Sequence, residues 1–257
     1  MGSPRFYREW AGGDRLVRFS ACHLDTDLQI GVDPGSYSCV MPRRCRCLIR
    51  EIRSLLEDYG ADCPEFITSL SPVPARRNAP GIIRRMARAG RLAGVGPMAA
   101  VAGAVAREVG CMLLREFGVR EVVVENGGDI FMRMHSPLLV SIYAGTSPLS
   151  GRVGLQICDP GRPLGLCTSS GTVGHSLSFG RADAAVVACR DAALADAYAT
   201  AWANEVHSAG DIPRTLEQMK GKRPIRSAVI IVGGQLGIVG RYALRPLGGK
   251  RRPLMRG

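Results

Sequence analysis

A chain of 257 residues, 46% of them apolar, can bury a full core without covalent staples, which excludes both a disordered tail and a small cysteine-framed scaffold. Nine cysteines, an odd number with no regular spacing, point to a reducing, cytoplasmic setting. The net charge of +12 comes mainly from arginine at residues 43–53 and 76–91 and from a basic tail, but with only 5% aromatic residues it makes a poor stacking platform for single-stranded nucleic acid.

Residues 17–32 partly alternate and end in Gly-Val-Asp-Pro-Gly, which predicts strands at the start of a sheet. Leu48, Ile49, Ile52, Leu55, Leu56 and Tyr59 then recur at helical spacing, with Gly60 as the expected stop. The nearby Cys45-Arg46-Cys47 has no second pair at zinc-site spacing and reads as structural. Residues 64–80, punctuated by proline, predict a connection, and Pro80-Gly81 opens a basic helix through Arg91. Gly94-Val95-Gly96-Pro97-Met98-Ala99 imitates a dinucleotide fingerprint, yet a helix precedes it where that motif needs a strand. A glycine turn with Pro97 starting the next helix accounts for it.

That next helix is marked by Met98, Val101, Ala102, Val105, Val109, Met112 and Leu113, closes at Gly118, and is predicted to be the central one. The apolar run at 92–106 is too short and too interrupted by glycine to span a bilayer. Strand character follows at Val122-Val123-Val124 and over 138–143, 153–157 and 184–189. After a helix over 192–206 come strands over 228–232 and 237–244, expected as a hairpin around Gly-Gly-Gln. Short turns between successive strands imply mostly antiparallel pairing, in one α+β domain over 1–257 with a basic tail from about 245.

Two segments carry chemistry. Asn126-Gly127-Gly128-Asp129 ends an apolar strand in a form that a tight turn alone would explain. Cys167-Thr168-Ser169-Ser170-Gly171 and the hydroxyl residues after it read as a loop offering N–H and O–H groups to an anion such as a phosphate. The two are expected to converge on one cleft, toward which the surplus arginine would steer a multiply anionic small molecule. His175, among those hydroxyls, is the general-base candidate. Asp196 and Thr200 lie four apart on an alanine-rich helix, so they share a face, and a buried carboxylate there needs a partner that a hard cation would provide. Cys167 is an alternative reactive group, if a positive local field lowers its pKa enough to carry a persulfide.

Gly96-Pro97-Met98-Ala99, Asn126-Gly127-Gly128-Asp129, Thr168-Ser169-Ser170-Gly171 and Ala195-Asp196-Ala197-Tyr198-Ala199-Thr200 follow one another in the order seen in the ApbE superfamily of FAD:protein FMN transferases. With Thr26-Asp27-Leu28 and Ala182-Asp183-Ala184 added, the chain resembles an uncharacterised ApbE-like branch over nearly its whole length. The resemblance implies a T-fold-like α+β architecture, a mostly antiparallel sheet packed against a long central helix and further helices. It also implies a flavin nucleotide, FAD or FMN, between the glycine-rich motifs, and Mg2+ held by Asp196, Thr200 and the backbone carbonyl of Ala99. His175 takes the role of activating an acceptor threonine.

The chain departs from the transferases at Ala100, where they carry lysine, and at Ser176-Leu177-Ser178, where an aspartate-proline pair follows the histidine. Three functions are therefore expected to compete. The first is Mg2+-dependent FMN transfer to an acceptor protein, and the second is non-catalytic binding of a flavin or other anionic nucleotide. The third is a persulfide relay through Cys167 in sulfur assimilation, a process with which relatives of the branch are associated. None involves nucleic acid or a membrane, and oligomer formation stays open.

Overall fold

The computed structural model describes residues 15–171 and 180–247. The chain opens with β1 (Val17–His23) and β2 (Thr26–Val32), then runs through α1 (Met41–Asp62), α2 (Pro64–Thr68), α3 (Gly81–Ala93) and α4 (Val101–Glu116). Six strands follow: β3 (Val122–Asn126), β4 (Asp129–Arg133), β5 (Leu138–Ser141), β6 (Val153–Ile157), β7 (Leu164–Ser169) and β8 (Ala184–Cys189). The helices α5 (Ala192–Glu205) and α6 (Ile212–Lys220) precede β9 (Ile225–Val232), β10 (Gln235–Gly240) and β11 (Ala243–Pro246).

An eight-stranded sheet has the order β1-β2-β3-β4-β7-β8-β9-β10, and β11, β6 and β5 form a three-stranded one. Neighbouring strands pair antiparallel throughout, as the short turns predicted. Alternation sorts the side chains of the large sheet between two cores. Val122 and Val124 of β3, Val187 and Cys189 of β8, and Ala228 and Ile230 of β9 join the helices. Val123, Val186, Ala188, Val229 and Ile231 face the smaller sheet. With both faces covered, these strands read as unbroken apolar runs.

The helix layer is organised by α4, which packs on β3, β4, α1 and α5. With the 3-10 turn Pro97–Ala100 that leads into it, α4 is long and apolar enough to cross a membrane by length and composition alone. Here it is the central helix of the layer, with Val105, Val109, Met112 and Leu113 buried. Small residues let α5 press between α4 and the sheet. A Cβ on Gly103 would collide with the Ala192 carbonyl, and one on Gly165 with the Ala192 backbone. Gly103→Ala is therefore expected to cost about 1–3 kcal/mol, because neither neighbour is a flexible side-chain end. Urea unfolding measures this directly, and an unchanged midpoint would show that α5 can move aside.

Several boundaries differ from the sequence reading. Gly60 does not stop α1, which continues to Asp62, because Ile67 of α2 packs over its bare Cα. Within the proline-punctuated connection, Pro64 starts the short helix α2, where its missing N–H is no loss. The predicted strand over 237–244 is two strands in different sheets, broken where Gly240 takes φ +108°. The strand β4 and the helix α6 had no separate prediction.

Candidate functional site

The β3–β4 hairpin turns on Gly127 and Gly128, whose φ angles are +67° and +104°. Two-residue turns of this kind need positive φ at both central positions, so the double glycine makes the turn. Asn126 lies opposite Asp129 across it. The Asn126 side-chain amide donates to the Ala102 carbonyl in the first turn of α4 at 3.1 Å, and the Gly128 N–H donates to Glu125 Oε1 at 2.8 Å. The hairpin is thereby tied to the start of α4, while its tip stays open. Among the described residues nothing lies within 4 Å of where a Cβ on Gly127 would stand.

Pairing of β4 with β7, Ile130 opposite Leu166, carries Asp129 alongside Cys167 and brings the turn to Thr168. The Thr168 carbonyl lies 3.7 Å from where a Cβ on Gly128 would be. The two glycine- and hydroxyl-rich segments are therefore neighbours at one end of the large sheet. Cys167, Thr168 and Ser169, however, belong to strand β7 and not to a loop. The apolar run from Leu164, paired on both sides, extends the ladder through the hydroxyl residues. Beyond it, the Ser170 hydroxyl and the Gly171 N–H both donate to the Ala182 carbonyl, at 3.3 and 2.8 Å. His175 and Ser176-Leu177-Ser178 lie outside the described residues.

Asp196 projects from α5 toward the first turn of α4 and is buried. Its Oδ2 accepts the Gly103 N–H at 2.9 Å, and the Ala102 N–H also favours its charged form. The free amides of a helix start suit an anion. Burial nevertheless dominates and pushes the Asp196 carboxyl up to about 7. Asp129 is buried as well and is held well above the ordinary carboxylate range, first by burial and then by the charge of Asp196, with Glu125 adding to it. The Cys167 thiol and the Thr168 N–H partly offset this. No cationic side chain contributes to either aspartate, and Asp129 Oδ1 has no hydrogen-bond partner among the described residues.

Cys167 sits in a setting unlike the positive field expected of a reactive thiol. It is buried, its thiol donates to the Ala192 carbonyl at 3.3 Å, and its surroundings are negative. Burial raises its pKa well above the ordinary thiol value, and Asp129 and Asp196 raise it further. The positive field that a persulfide carrier requires is replaced by two acids, so the thiolate is suppressed. None of the nine cysteines is joined in a disulfide.

Thr200 is half-buried one turn beyond Asp196, and Ala99 is half-buried in the 3-10 turn Pro97–Ala100, which packs against α5. Among the described residues no cluster of three or more His, Cys, Asp or Glu side chains forms a ready metal cage. A cation here would depend on hydroxyl and carbonyl oxygens as well as carboxylate. The donor chemistry does fit a hard divalent ion: two buried acids, one with an unpartnered oxygen, have no counter-charge among the described residues. The sequence reading missed the Ala102 and Gly103 amides. Their signal was the small-residue run entering α4, which leaves backbone accessible.

Known proteins resemble the chain in sequence and in fold. The sequence model of a family described as AbpE bacteria matches residues 8–230. A UPF0280 protein of Methanococcus aeolicus is 38% identical over 222 residues, covering 85% of this chain and 88% of its own. The apo flavinyl transferase ApbE of Pseudomonas stutzeri superposes with a TM-score of 0.53 at 13% identity, covering 90% of this chain and 94% of its own. For the flavin transferase ApbE of Vibrio cholerae the TM-score is 0.54 at 14% identity, with 90% and 96% covered. At such identities the two transferases share the fold.

Proposed function

The chain belongs to the AbpE bacteria family, an ApbE-like branch, and from that premise we propose that it binds a flavin nucleotide where the β3–β4 turn meets the end of β7. The observation that carries this reading is the pair of buried acids, Asp129 and Asp196, with no counter-charge among the described residues, beside a double-glycine turn. Asp196, Thr200 and the Ala99 carbonyl would hold Mg2+, which when bound supplies charge neutralisation for a pyrophosphate. Asn126, Gly127, Gly128 and Asp129 form one wall for the nucleotide, and Thr168, Ser169, Ser170 and Gly171 the other. Hydroxyls of the second wall orient the phosphates. His175 takes the proton from an acceptor hydroxyl, FMN passes to that oxygen, and AMP leaves.

Quenching of flavin fluorescence tests the binding step. FAD is expected to bind the wild type more tightly with Mg2+ than with a chelator present. Asp196→Asn should remove that difference, a loss of about 10–100-fold or more, since even an outer-shell partner of a metal is worth that much. Equal binding by wild type and variant in Mg2+ would place the nucleotide elsewhere.

A second reading, flavin binding without transfer, is favoured by Ala100. This residue stands where the transferases carry lysine and is fully buried. It leaves the nucleotide walls intact and removes a cation from the reacting end.

A further inference from the structure

Arg84, Arg88 and Arg91 recur at i, i+4 and i+7 along α3, so they form one stripe about two turns long. All three are exposed. Arg84 donates to the Ala79 carbonyl at 3.0 Å, and none of the three has a carboxylate within ion-pair distance among the described residues. Arg85, on the adjoining face, contrasts with them: it pairs with Asp191 and lies 3.6 Å from Glu108. Beside the stripe, α3 and α5 enclose an open groove of about 280 Å³ lined by Arg84 and Arg88 but not Arg91, floored by Ala89, Leu92 and Leu194, and bordered by the Arg85–Asp191 ion pair, in which the Asp191 charge is already matched.

We propose that this groove docks an acidic segment of a partner protein, one that sets an apolar side chain between its carboxylates. Like charges one turn apart repel along a helix, so the free stripe costs stability that an acidic partner would recover. Planar guanidinium forks match carboxylates two oxygens at a time. The leucine floor would take the apolar anchor, which a phosphodiester backbone cannot supply. No aromatic ring lines the groove to stack a base, so a peptide fits better than RNA.

Fluorescence anisotropy on the full chain tests the proposal with a short labelled peptide of repeating Asp-Leu-Glu. The expected result is salt-sensitive binding that weakens at least about tenfold in the Arg84→Glu, Arg88→Glu double variant. Arg46→Glu with Arg50→Glu on α1 makes the same charge change elsewhere and should weaken it less than about twofold. Replacing leucine by serine in the peptide should also lower affinity. Arg84→Gln with Arg88→Gln, which keeps helix-forming residues, repeats the loss if the charge-reversed chain unfolds. The proposal is overturned if no peptide binds, if both charge-reversed pairs weaken binding equally, or if the serine peptide binds as well. It is overturned too if single-stranded RNA binds more tightly and loses that binding in the groove variant.

Discussion

In denaturant titrations without added metal, the protein is expected to be most stable near pH 5, to weaken as the pH climbs toward about 7, and to regain stability there when Mg2+ is added. Asp196 is the cause. In the unfolded chain its carboxyl releases its proton near 3.8, whereas in the fold it holds it up to about 7. A raised acid stabilises the fold fully below the unfolded value and loses that contribution as the pH rises through the folded one. Moving from 3.8 to about 7 corresponds to a loss of about 4 kcal/mol. Asp33, Asp159, Glu116 and Asp211 act in the opposite sense, being held below their ordinary values, so their contributions are in place above the acid range and fade below it.

Because Asp129 and Asp196 feel each other, the step belongs to the pair, and each aspartate should be replaced in turn. Asp196→Asn keeps an oxygen for the Gly103 N–H and removes the charge. It should flatten most of the slope and leave the metal-free protein firmer than wild type above pH 8. Only the wild type should respond to Mg2+. A stability profile that stays flat from pH 5 to 8, or an identical slope in the variant, would refute the account.

How far the sequence disclosed the molecule depends on the kind of signal. Alternation and helical spacing act locally, so strands such as Val122–Asn126 and the helix Val101–Glu116 could be read directly, as could the antiparallel arrangement. Boundaries that depend on a partner could not. Gly60 is a helix stop in isolation and helix interior once Ile67 covers it. Thr168 and Ser169 are loop formers by composition and strand residues because β8 offers them a ladder. The proximity of the two glycine- and hydroxyl-rich segments was legible because both look like strand-end turns suited to one ligand. The electrostatics were not, because the sign of the field at Cys167 comes from Asp129 and Asp196, residues distant in sequence that folding places next to it.

Release of AMP from FAD, measured with a threonine-containing acceptor peptide and Mg2+, separates the two readings of the site. If the chain transfers FMN, His175→Asn should lower the rate by about 10²–10⁴-fold while FAD affinity holds, because a general base acts on the acceptor proton and adds little to ground-state binding. Asp196→Asn should lower both rate and affinity. An unaltered rate in His175→Asn would remove the base from the mechanism, and a wild type that binds FAD but releases no AMP would establish the non-catalytic reading. In that event Ala100→Lys should not restore transfer. Ala100 is fully buried against the helix core, so its Cβ points away from solvent and a lysine there would need to carry an unpaired ammonium through the packing. The variant should lose stability before it gains chemistry, and a folded Ala100→Lys protein that releases AMP would show that the glycine-rich turn can move enough to bring the ammonium to the phosphates.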